Sequence, residues 1–440
     1  MYQVNRLPSK VQKTSRYGSG ADSKFKNMTA SSPAAPLLPP EIITIILNYV
    51  GDKRAVLRSR LIRKDFEAVA TTVGFKKLTV CRGPIPNLLG FEAIAASPHL
   101  NYRVEEITFL EHDESPKWDP ENTSIEEFCL SLLRLPQFPN LRALQLHFPH
   151  CHYDEYLPSS DPEDTNNLCL STGYSMPSDI EISFPRFLQI KFFQKIASEG
   201  RLMRPPHLKA LNICPLVAHE GLFGLHEFKW LLEPLTSLKI GTVTNDSEWF
   251  HQSLDFYENF WNINMRSALN TARNLTSLNL SSDIRTSIIS WDQVDAIPGL
   301  EKLSFSSFIF TDYNEDSTPD SSSIESFILR HPNLLVLRLN DCCIDLWDSN
   351  VTWATTFQRF KDHLKKLQCF DFTPVPEGHD ESSDISYFYS YVWPVCEAEY
   401  EEYRSDFDHR DAPDPPPNGT RNSDKSAYES LQQKISQRKA

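Results

Sequence analysis

The densest collection of chemically capable side chains is His147-Phe148-Pro149-His150-Cys151-His152, followed by Asp154 and Glu155. Imidazoles, a thiol and carboxylates are the donors of a zinc site. Such a site needs ligands that converge tetrahedrally, usually from two separated pairs. Here all the donors lie on one continuous stretch, with no distant Cys-x-x-Cys partner, so a polar loop is expected. A cysteine nucleophile is the next chemistry to consider. It needs a thiol of lowered pKa beside a histidine and an orienting group. Cys81, Cys129, Cys214 and Cys369 sit in or beside apolar runs, where cysteine is a small buried residue. The 9 cysteines are scattered, with only Cys342 and Cys343 adjacent. That usage predicts reduced thiols in a cytosolic or nuclear protein. No Walker loop, G-x-S-x-G, H-E-x-x-H or dinucleotide-binding glycine pattern occurs. With 14 Gly in 440 residues there is little to build a phosphate-cradling loop from. No catalytic residue, cofactor or metal is therefore expected.

The elements that would carry any function read as follows. Lys and Arg number 44 and Asp and Glu 58, a formal net charge of −14. Nucleic acid needs clustered cations against phosphate, so it is not expected as a partner. Neither is an anionic membrane, and no apolar run is long enough to span a bilayer. Residues 1–35, rich in Ser, Lys and Ala, read as a basic disordered arm or a nuclear address. Residues 36–72 form a helical segment. Pro39 and Pro40 open a helix in which Ile42, Ile46 and Tyr49 lie along one side. Ile43, Leu47 and Val50 lie along the next, and Ile45 widens the apolar surface. Gly51-Asp52 ends it, and a second helical run carries Val56, Leu57, Leu61, Ile62, Phe66 and Val69. A helix apolar over most of its girth is buried over most of its girth, and this short segment cannot do that alone. Something else must cover part of it.

From residue 75 a second pattern begins, apolar-x-x-apolar-x-apolar. It recurs as Phe75-Leu78-Val80, Val104-Ile107-Phe109, Leu141-Leu144-Leu146 and Leu208-Leu211-Ile213. Five more follow: Leu235-Leu238-Ile240, Leu275-Leu278-Leu280, Leu300-Leu303-Phe305, Leu334-Leu337-Leu339 and Leu364-Leu367-Cys369. In a strand the fourth and sixth residues of each unit share one face. Prolines such as Pro139, Pro298 and Pro332 stop a preceding helix just upstream. Each unit is thus helix, proline turn, short strand. It cannot bury its own apolar face, and stacking solves that. The stretches 150–190 and 311–323 read as long polar loops. Tyr387–Tyr403 reads as a terminal helix on the array, and 405–440 as a disordered tail. The dense aromatics Trp249, Phe250, Phe256, Tyr257, Phe260 and Trp261 read either as a helix packed on the array or as a partner patch.

These residues resemble a known family. Leu38-Pro39-Pro40-Glu41-Ile42, Ile46-Leu47-Asn48-Tyr49 and Leu57 through Phe66 are similar to the F-box. Residues 75–370 resemble the leucine-rich repeats that commonly follow it, especially the irregular ones of fungal proteins, so 73–404 would be the repeat solenoid. The usual asparagine or cysteine of those repeats is replaced by Pro149, Leu216, Val243, Asp283 and Phe308, and only Cys342 matches. The resemblance implies an α/β fold: an N-terminal helical F-box at 36–72, then a repeat solenoid, with disordered termini. It implies a non-catalytic substrate receptor of a Skp–cullin–F-box ubiquitin ligase, with an unidentified protein substrate on the repeats. Leu38, Pro39, Pro40, Glu41, Ile42, Ile45, Ile46, Leu47, Leu57 and Leu61 would dock on the Skp adaptor, and through it on a cullin. The alternative is an interaction scaffold whose helical hairpin caps the array with all its apolar faces turned inward.

Overall fold

The computed structural model describes residues 38–82, 86–111, 123–148, 184–217, 229, 231–243, 260–286, 290–310, 323–345, 352–373, 391–392 and 420–439. It is a mixed α/β structure. Three helices come first: α1 (Pro40–Tyr49), α2 (Lys53–Ser59) and α3 (Lys64–Phe75). The expected second helix is two, because the chain leaves the helix at Leu61-Ile62 and re-enters it at Lys64.

Eleven strands follow: β1 (Lys77–Arg82), β2 (Glu106–Glu111), β3 (Ala143–His147), β4 (Ala210–Val217), β5 (Ser237–Val243) and β6 (Ser277–Thr286), then β7 (Lys302–Phe310), β8 (Val336–Asn340), β9 (Cys343–Asp345), β10 (Cys369–Thr373) and β11 (Tyr391–Val392). They pair in the order β1-β2-β3-β4-β5-β6-β7-β8-β10, every pair parallel. Strands β9 and β11 continue from the end of β7 as a small parallel extension. Strand order follows chain order, so each unit adds one strand to the edge left by the unit before it.

The period-2 pattern is what the strands bury. Leu144 and Leu146 turn inward beside Leu211 and Ile213, then Leu238 and Ile240. Burying one such side chain is worth about 1.5–3 kcal/mol. The entry residues Leu141, Leu208, Leu235, Leu275, Leu300 and Leu334 are buried too. Helices on the same side close the core. Phe184–Met203 directs Leu188, Phe192, Phe193 and Ile196 inward at helical spacing. This helix begins inside the stretch read as a loop. Its Phe and Leu stripe is enough to order it against the strands; residues 149–183 lie outside the described part.

The junctions repeat more strictly than the sequence does. The carbonyl just before each strand accepts two consecutive amides of the next unit. Glu105 accepts from Arg142 and Ala143, Arg142 from Lys209 and Ala210, and Thr236 from Thr276 and Ser277. At the far end Leu335 accepts from Gln368 and Cys369. That last register corrects the ninth unit. Phe370 and Phe372 pair with Leu337 and Leu339 and turn inward, whereas Cys369 faces outward with Val336. The unit is therefore Leu367-Phe370-Phe372, and Leu364 belongs to the preceding turn.

The positions where a repeat asparagine was expected take a different course. Leu216, Val243, Phe308 and Cys342 are all buried, so apolar side chains fill the turn, and Asp283 is exposed. Two residues, Ser307 within β7 and Asp341 just after β8, adopt positive φ of 63° and 51°. They occupy the same place in successive units, and the Ser307 hydroxyl donates to the Asp341 carboxylate at 3.0 Å.

The expected tail at 405–440 is a second correction. Thr420–Lys439 is a helix, packed on the helix Trp353–His363. Tyr428, Leu431 and Ile435 form a stripe at i, i+3 and i+7, with Leu431 and Ile435 buried. Asp424 accepts from the amide of Ala354, and Arg438 donates to the carbonyls of Leu364, Leu367 and Lys361. Gln432 donates to Phe370 O on the edge strand β10 at 2.8 Å. The array thus ends in a helix whose outer side is polar, which blunts an otherwise open edge. The cap expected at 387–403 falls outside the described residues except for β11. So does the N-terminal arm.

Candidate protein-docking site

The helical unit keeps its own small core. Ile43 and Leu47 of α1 meet Val56 of α2 and Ala70 of α3, with Val50, Phe66, Val69 and Val73 around them. This cluster is separate from the core of the array. Local signals set its geometry. The Asp52 carboxylate caps α2 by accepting from the Arg54 amide at 2.8 Å. Pro40 occupies the first helical position of α1, where no amide is needed. Glu41 lies in the first turn, next to the positive end of the helix dipole.

With one row inside, the other must lie outside. Ile43 is 1 % exposed, whereas Ile42 is 42 %, Ile45 52 % and Ile46 44 % exposed. Leu38, Pro39, Pro40 and Glu41 are exposed at the start of the same helix, and Tyr49 at its end. Leu61 and Ile62 stand exposed in the turn before α3. Leu47, counted with the docking residues, is instead an inward core residue. Leu57 is half-buried: a Cβ on Gly74 would meet its Cδ2 at 2.5 Å, so α2 and α3 touch there because Gly74 has no side chain. Tyr49 and Ile62 join the exposed apolar set beyond the residues first singled out. Tyr49 was legible from its i+7 spacing to Ile42.

This surface is fixed to the array. Helix α3 ends at Phe75, which packs on the array core, and β1 begins at Lys77. Lys53 donates to the outward carbonyl of Lys77 at 2.8 Å, and its partial burial lowers its pKa. Lys53 therefore meets the first edge strand as Gln432 meets the last.

Some of the residues first weighed for chemistry have structural partners. His147 Nδ1 lies 2.7 Å from the Cys214 carbonyl, and Phe148 is buried, while His150, Cys151, His152, Asp154 and Glu155 lie outside the described residues. Among the described residues no three His, Cys, Asp or Glu gather as a metal site. Burial pushes the thiols of Cys129 and Cys342 up to about 12, the opposite of nucleophile activation. Phe260 and Trp261 are fully buried, and Trp261 meets Phe308 edge-on, so this end of the aromatic run packs on the array. Trp249, Phe250, Phe256 and Tyr257 lie outside the described residues. A shallow groove of about 720 Å³ beside Leu89 holds the Glu92–Arg134 ion pair at 3.4 Å and is lined by neither a thiol nor an imidazole. Among the described residues no helix is long and apolar enough to cross a membrane.

Exposed apolar side chains in a continuous stripe make the outer row of α1 the candidate contact surface. Comparison with known sequences adds no identity: no family model matches the chain, and no curated protein matches it.

Proposed function

We propose that this chain is the substrate-recognition subunit of a Skp–cullin–F-box ubiquitin ligase. In this reading residues 36–72 are an F-box that docks on the Skp adaptor, and the array is a leucine-rich-repeat solenoid that holds a protein substrate. The observation that carries it is the division of α1. Its inner row, Ile43 and Leu47, is consumed by the helical unit, and its outer stripe, Ile42, Ile45, Ile46 and Tyr49, is covered by no described part of the chain. A hairpin serving only to cap the array would turn that stripe inward. The motif match at Leu38–Ile42 and Leu57–Phe66 supports the same partner. Ubiquitin transfer takes place on other subunits, so this chain supplies two binding surfaces and no catalytic group.

One observation favours a second reading, a ligase-independent scaffold. The Lys53 bond to Lys77 and the packing of Phe75 make the helical unit part of the array's end. Co-purification with the Skp adaptor separates the two. The ligase reading predicts capture by the full chain and loss of capture on Ile45→Asp/Ile46→Asp, with the array still folded. Failure of capture where a known F-box protein is captured leaves the scaffold reading.

A further inference from the structure

We propose that the open face of the sheet binds an acidic, extended segment of the recruited protein. This rests on the reading of the chain as a substrate receptor.

The face opposite the core is a grid, because strands β3 to β8 stay in register over their central residues. In a chain with 58 acidic and 44 basic residues, no outward position of that in-register grid is Asp or Glu. Outside that grid, acids appear at its two flanks, where they are paired, and at Asp283, past the register shift near the end of β6. Glu106 on β2 meets Lys77 at 2.7 Å and accepts from Gln145 at 2.7 Å. Asp371 on β10 meets Arg338 at 3.0 Å. Between the flanks stand Lys239 on β5 and Lys302 on β7, both exposed and without an ion-pair partner among the described residues.

The floor between the lysines adds hydrogen-bonding groups. Ser277 and Asn279 lie on the intervening strand β6. Ser304 is only 8 % exposed, and its hydroxyl has no partner among the described residues. Asn212, in register with Lys239, has a buried Oδ1 without a partner. The outward Ser and Asn groups exchange hydrogen bonds with a peptide backbone, whereas the lysines require anionic acceptors. An extended peptide offers both, backbone N–H groups and side-chain carboxylates.

The spacing agrees. Lys239 and Lys302 are two strands and two residues apart, about 12 Å between Cα atoms at ~4.8 Å per strand and ~3.3 Å per residue. Acidic residues at i and i+4 of an extended chain lie on one side, about 13 Å apart.

The test uses the full chain and three fluorescent probes. One is a Ser/Gly peptide with Glu at i and i+4, one its Lys counterpart, and one a single-stranded oligothymidylate. The Glu peptide is expected to bind, to weaken with added salt, and to lose ~10-fold or more in affinity on Lys239→Glu/Lys302→Glu. Both lysines are exposed and far in sequence from α1, so Skp-adaptor capture by that variant should be unchanged. The proposal is overturned if the Glu peptide fails to bind at low salt, if the Lys peptide or the oligonucleotide binds as well, or if the double variant binds the Glu peptide like the parent. Acidic-peptide binding by a chain that captures no adaptor would refute the ligase reading and leave this face standing.

Discussion

Changing pH tests how two neighbouring units are joined. His331 is 3 % exposed, at the turn before β8. Its Nε2 accepts from the Ile297 amide at 2.9 Å, and its Nδ1–H donates to the Phe327 carbonyl at 2.7 Å. The ring must therefore be neutral, with its proton on Nδ1. Burial lowers its pKa from 6.5 to about 4; the Phe327 bond opposes that shift and the nearby Arg330 charge adds to it. At about 1.4 kcal/mol per tenfold change in proton affinity, this is worth about 3 kcal/mol. The sign follows from proton counts. Between pH 6.5 and about 4 the unfolded chain binds a proton that the folded chain does not, so stability falls as pH falls through that window. Above it, the contribution is fully present.

His331→Leu isolates the effect, since Ile297 and Leu364 hold the same turn position in the adjoining units. The variant should lose about 1–3 kcal/mol at neutral pH, because the Ile297 amide is left without an acceptor. It should then lose less than the parent on acidification, so that the two converge near pH 4. Urea unfolding at a series of pH values reads this out. Trp291 is a local fluorescent reporter, 4.6 Å from the Phe327 ring that itself lies 4.6 Å from His331. Parallel loss of stability in parent and variant across the window would refute the reasoning.

Two further outcomes follow from burial. Ile43→Ala should cost about 2–5 kcal/mol and loosen the helical unit, whereas Ile46→Ala should stay within about 1 kcal/mol, as hydrogen exchange of the α1 amides will show. Leu431→Asp places a charge in the contact between the C-terminal helix and the array. It should release that helix and speed proteolysis near residue 420, with adaptor capture retained; unchanged cleavage would remove the helix's role as an end cap.

Much of the array was legible because its core obeys one rule. Alternate apolar residues in short runs can only turn one face inward, so the strands and their buried pairs read directly from spacing. The same rule misplaced the last unit. Leu364-Leu367-Cys369 and Leu367-Phe370-Phe372 have identical spacing, and only strand register chooses between them. The helix Thr420–Lys439 was hidden because its stripe is narrow and its composition polar. Its order comes from contacts with residues around 354–372, far away in sequence. In the candidate docking site, periodicity revealed two apolar rows on α1 but not which would be buried. Val56 and Ala70 decide that by covering Ile43 and Leu47. The regular pairing of each entry carbonyl with two amides has no side-chain signature, so no residue pattern announced it.

The central claim is that the outer stripe of α1 is a docking surface for the Skp adaptor. Calorimetric titration of the purified full chain with purified adaptor tests it most directly. The account predicts saturable binding that Ile45→Asp/Ile46→Asp weakens ~100-fold or more, with the unfolding midpoint of the array unchanged. No heat of binding under conditions where a known F-box protein titrates, or equal affinity for the parent and the double variant, would contradict it.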